Sequence, residues 1–147
     1  MGHEDSIMST RKALQKVQGT FTASVNGVEN FVADTVYLNK DDVLIRVVGV
    51  DDGSASVLRI IQIDMDPDIQ NGTYNFPGGP IRALIAGGQT APSHYVTMIG
   101  QVGIDFDHQN ELYNGHFNFD ATNIFAPRDK IVVDGVFHIQ MKPPTNK

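Results

Sequence analysis

Tyr113-Asn114-Gly115-His116-Phe117-Asn118-Phe119-Asp120 sorts its side chains by parity. Tyr113, Gly115, Phe117 and Phe119 fall on one side; Asn114, His116, Asn118 and Asp120 fall on the other. A strand sends successive side chains to opposite faces, so this alternation predicts a strand with one buried and one wet face. After a loop, Ile131, Val133, Gly135, Phe137, Ile139 and Met141 repeat the pattern. The stretch from Tyr95 to Met141 carries period two and no helical period. The expected class is all-β.

Working outward, Val17, Gly19, Phe21, Ala23 and Val25 alternate with polar residues up to Asn26-Gly27. That dipeptide predicts a two-residue hairpin, because a type I′ turn needs positive φ at both central positions. Asn39 to Asp42 and Asp51 to Gly53 read as further turns. Val43 to Val50 is apolar on both faces, which predicts a central strand covered on both sides by a helix, a loop or a second subunit. On that ground a homodimer is the expected assembly. Ser9 to Lys16, with Ser9 or Thr10 as cap and good helix formers after it, predicts one short N-terminal helix.

The expected architecture is an antiparallel β-sandwich, barrel-like in the limit, of about 8–10 strands. A lipocalin-like cup is the rival. Residues 1–147 are expected to form one domain, with 1–8 disordered and 143–147 a frayed tail. The predicted inward set is Phe21, Val25, Ile45, Val47, Ile61, Ile63, Val102, Ile104, Phe117, Phe119, Val133, Phe137 and Ile139.

Composition narrows the function. Zero cysteines among 147 residues remove disulfides, thiol catalysis and thiolate metal sites. The net charge of −6, with the basic residues scattered, argues against nucleic acid. No window is long and apolar enough for a transmembrane helix, and the N-terminus lacks the apolar core of a secretory signal. The expectation is a soluble, acidic protein in the cytoplasm, or in the envelope if a signal precedes this chain.

Gly72-Thr73-Tyr74, Tyr95 leading into Gly100-Gln101-Val102-Gly103-Ile104, Asn114 to Ala121, and Gly135-Val136-Phe137 together resemble an uncharacterised family of small bacterial all-β domains, many of them lipoproteins. Gly19 to Gly27 fits that family's usual first strand and turn. The resemblance implies an all-β fold and an envelope association, and it carries no assigned catalytic residues.

The residues with most chemistry lie on the polar side of the last hairpin. If the strands near Asn114 and Val136 pair antiparallel, His116, Asn118 and Asp120 share a face with Asp134, His138 and Gln140. Two imidazoles with a carboxylate suit a divalent metal, so His116, His138 and Asp134 are the candidate ligands. Asn118, Asp120 and Gln140 are the candidate binding residues beside them. An ordinary solvated sheet face explains the same pattern, and the close His-x-x-x-His pair of many zinc enzymes is missing. Asp64 to Asp68 and Asp105 to Asp107 are acidic turns, but Ile69 and Asn75 stand where an EF-hand needs Gly and Glu. There is no Gly-x-Ser-x-Gly and no phosphate loop.

No catalytic residue is therefore assigned and no cofactor is expected. The leading expectation is a non-enzymatic binding module that recognises a partner protein or a saccharide through loops or an exposed sheet face. Loops at Pro77 to Pro80 and Gly87 to Ser93 are candidates for that role. A small-molecule carrier with an internal cavity is the alternative, and a metal-assisted hydrolase the second.

Overall fold

The computed structural model describes residues 15–52, 58–76, 78–87 and 93–141. Their elements in chain order are β1 (Gln15–Lys16), β2 (Gln18–Val25), β3 (Val28–Val32), β4 (Thr35–Lys40), β5 (Ile45–Val50), β6 (Leu58–Met65), β7 (Gly72–Phe76), β8 (Ile81–Gly87), β9 (Ser93–Asp107), β10 (Leu112–Asn123) and β11 (Ala126–Gln140). All pairings are antiparallel and belong to one sheet, in the order β1-β4-β5-β6-β8-β9-β10-β11-β2-β3, with β7 on β9. The sheet curls strongly into a half-barrel.

Two expectations are corrected here. The first is the two-sheet sandwich: there is one continuous sheet, and its core lies on the concave side. Long strands explain this, because β9, β10 and β11 run through 15, 12 and 15 residues without a break that would divide the sheet. Strand twist accumulates across such a sheet and curls it. The second is the N-terminal helix. Gln15 and Lys16, its last two residues, are β1 and pair with Leu38 and Tyr37 of β4. The backbone groups that a helix would have used inside itself are taken by the ladder, and Val17 N–H continues it by donating to Val36 O at 3.0 Å. Residues 9–14 of that helix lie outside the described residues, as do 1–8 and 143–147, where disorder and fraying are expected.

The hairpin between β1–β2 and β3–β4 gives the curl its hinge. β1 and β2 are parted by Val17 alone, and β3 and β4 by Ala33 and Asp34. The described residues form eleven strands, one more than the expected 8–10, because these two bent runs are each broken in two. β1 sits at one end of the sheet order and β2 near the other, so this bent strand brings the two ends together. Its turn is the one expected: Asn26 has φ 54° and Gly27 φ 85°.

Every residue of the predicted inward set is buried. Phe21 is the hub. Its ring centroid is 6.0 Å from Phe31, 5.6 Å from Phe117 and 5.7 Å from Phe137. Facing glycines make room: Gly115 is opposite Phe137 and Gly135 opposite Phe117 in the β10–β11 register. A methyl group at Gly115 would overlap the Phe137 ring, and one at Gly135 the Phe117 ring. The interior of the curl is thus largely apolar, and its outside along β10 and β11 is mostly polar with Val132 and Val136 exposed among the polar residues. Among the described residues no helix is long and apolar enough to cross a membrane.

β5 lies between β4 and β6, as its two-sided apolarity predicts. Ile45 and Val47 enter the core, while Val48, on the other side, is 4% exposed in the single chain. Arg46 and Val50 on that side are half-buried.

Candidate functional site

The predicted register of the last hairpin holds. Asn114 is opposite His138, Asn118 opposite Asp134, and His116 opposite Val136, with Leu112 opposite Gln140 and Asp120 opposite Val132. His116, Asn118, Asp120, Asp134 and His138 are all exposed, and Gln140 is half-buried. All six side chains share the convex face, because the period-two alternation commits their neighbours to the core.

What sequence reasoning could not supply is the company they keep. β9 brings Asp105, Gly103 and Gln101 beside Asn114, His116 and Asn118. β2 brings Thr20, Thr22 and Ser24 beside His138, Val136 and Asp134. β7 adds Thr73 next to Gly103 and Asn75 next to Gln101. The polar side of β2 is legible in the sequence, but the identity of its partner strand is a long-range pairing with no local signal.

These strands leave a chain of shallow hollows. One of about 400 Å³ is lined by Thr73, Asp105, Asn114, His116, Val136 and His138. A second of about 360 Å³ shares His116 and Val136 with it and adds Thr22, Ser24, Asn118 and Asp134. A third of about 460 Å³ shares Asn118 and adds Asn75, Phe76, Gln101 and Asp120. Gln140 is not part of this trough; it lines a separate hollow with Lys16, Gln18 and Met141.

His116 organises the trough. It is opposite Gly103, and a methyl group at residue 103 would overlap three atoms of its ring. The imidazole therefore lies down over the glycine, and its own residue stays exposed. His138 is held differently, with Nδ1 3.1 Å from Asn114 Oδ1, where the ring N–H donates. Gln101 Nε2 donates to Asn75 Oδ1 at 3.0 Å across β7 and β9. The result is one flat ring flanked by amides, hydroxyls and carboxylates.

Among the described residues no three His, Asp or Glu side chains come together at metal-holding spacing. His116, His138 and Asp134 are diagonal neighbours in the register rather than a converging set. One carboxylate in each acidic stretch is engaged: Asp64 takes a bidentate pair of bonds from Arg46 at 2.8 and 3.0 Å, and Asp107 accepts from Asn110 N and Nδ2. Of the two candidate loops, Pro77 and residues 88–92 lie outside the described residues.

Tyr95 and His108, both away from the trough, are among the titratable groups displaced from their ordinary values. Burial, and then the hydrogen bond to Asp129, push the Tyr95 hydroxyl up to about 12. Partial burial, and then the neighbouring Lys40 ammonium, hold His108 below the usual histidine value. Lys40 Nζ donates to His108 Nδ1 at 3.0 Å and to Tyr113 OH at 3.3 Å.

Comparison of the chain with protein-family models, with curated proteins and with solved structures returned no match.

Proposed function

We propose that this chain is a non-enzymatic binding module whose convex β9–β10–β11 face recognises a saccharide. The observation that carries the reading is the His116 ring laid over Gly103 between Asn114 and Asn118. A flat ring offers a face to the C–H side of a sugar. Planar amides and carboxylates beside it meet the hydroxyls, each with paired donor or acceptor atoms. The trough is long and shallow rather than enclosed, which suits a chain of sugar units better than a single small molecule. No group in it is arranged as nucleophile and base, and the reading needs none.

The test is a glycan array probed with the full chain and with His116→Ala. The expected result is a small set of related glycans bound by the wild type and lost in the variant. Binding that ignores His116, or no glycan above background, overturns the proposal.

A further inference from the structure

The β10–β11 hairpin turns on Ile124 and Phe125, which are 52% and 62% exposed. Turn chemistry does not explain these residues. Turns favour Gly, Asn, Asp, Ser and Pro, and the β2–β3 hairpin tip, Asn26-Gly27, follows that rule. Positive φ is not the reason either, since among described non-glycine residues only Asn26 and Glu111 have it. Two large apolar side chains thus occupy the most projecting part of the hairpin without a local cause.

The tip is also held firmly. Asn123, 4% exposed, accepts from Phe125 N at 3.0 Å through Oδ1 and donates through Nδ2 to Asp129 at 3.1 Å. Tyr95 OH donates to the same Asp129 oxygen at 2.6 Å, and Ile124 N donates to His94 O at 2.9 Å. This network pins the tip to β9, so its apolar side chains are presented on a rigid support. Val96 and Met98, on the adjoining stretch of β9, are exposed as well.

Charge decides between occupants. Arg128 and Lys130 follow the tip on β11, both exposed, and neither makes an ion pair among the described residues. The carboxylate between them, Asp129, is engaged by Tyr95 and Asn123. A chain of net charge −6 therefore carries, among its described residues, two cations without an ion pair beside two adjacent exposed apolar side chains. Apolar side chains on a projecting tip with cations just behind them match the boundary of an anionic bilayer, where acyl chains lie beneath phosphate groups.

We propose that the β10–β11 tip docks this protein on an anionic membrane surface, with Ile124 and Phe125 entering the acyl boundary and Arg128 and Lys130 meeting the headgroup phosphates. The saccharide trough lies farther along the same strands, and neither reading requires the other.

Co-sedimentation of the full chain with phosphatidylglycerol–phosphatidylcholine vesicles, and with pure phosphatidylcholine vesicles, tests it. The chain is expected to pellet with the former and not the latter. Phe125→Ser should lower partitioning about tenfold or more, from the lost apolar burial. Arg128→Gln with Lys130→Gln should lower it about thirtyfold at low salt. All three positions are exposed, so unchanged melting temperatures are expected and show that folding is intact. The proposal is overturned by failure to pellet with either vesicle, by equal pelleting with both, or by a Phe125→Ser chain that pellets like the wild type. It is also overturned, in favour of self-association, if Phe125→Ser converts a dimer to a monomer in gel filtration.

Discussion

Strands β10 and β11 use one device on both of their faces, to different ends. On the concave face Phe137 lies over Gly115 and Phe117 over Gly135; on the convex face His116 lies over Gly103. Inside, the rings are sealed among Phe21, Phe31 and Phe119, so they are part of a close-packed core. Outside, the ring has backbone beneath it and solvent above, so the same arrangement makes a platform. Whether a glycine–ring pair contributes stability or recognition depends on what lies on the ring's other side.

The largest effect expected is at the inner face. Phe137→Ala should cost about 3–5 kcal/mol in urea melts, because Phe137 is fully buried and its loss leaves a cavity. Less than about 1 kcal/mol would mean that the inner pair is not tightly packed.

Gly115→Ala comes next. The new methyl group meets a ring that cannot withdraw, and about 1–3 kcal/mol is expected from overpacking. Placing Gly115→Ala in a Phe137→Leu background should recover part of that cost, with a coupling of about 0.5–3 kcal/mol in the double-mutant cycle. Additive losses would show that the glycine is there for another reason.

The concave face is not apolar throughout, since Tyr95 and Asn123 are buried at its end. Tyr95 has a folded-state value of about 12 against an ordinary 10.0, so the folded chain holds its proton longer than the unfolded one. Stability from this site is present below pH 10.0 and is lost as pH rises towards about 12. Tyr95→Phe should flatten that alkaline limb in pH-dependent urea melts. His108 has the opposite sense, because its folded value lies below 6.5: its contribution is present above pH 6.5 and declines as pH falls beneath it.

The smallest effect is predicted for the outer face. His116→Ala and His138→Ala together should shift stability by less than about 1 kcal/mol, as exposed polar positions usually do. The same variant should abolish glycan binding. A costly histidine pair would place those rings in the structural category and remove the contrast between the faces.

Sequence alone determined a great deal about the core. Period two in Tyr113 to Asp120 and in Ile131 to Met141 placed Tyr113, Phe117, Phe119, Ile131, Val133, Phe137 and Ile139 on the buried side correctly, because a pleated strand leaves no freedom over which face a side chain takes. Asn26-Gly27 announced its turn because few residues tolerate positive φ. The antiparallel pairing of two neighbouring strands followed from their proximity in the chain, and with it the shared face of His116, Asn118, Asp134 and His138. Tertiary structure alone decided which distant strands completed that face: Gly103 on β9, Thr22 on β2 and Thr73 on β7 meet His116 or its neighbours through a sheet that curls on itself. It also decided one curled sheet over two stacked ones, and strand over helix at Gln15 and Lys16. Those outcomes depend on backbone ladders between segments far apart in sequence and on accumulated twist, and neither leaves a signature in local periodicity.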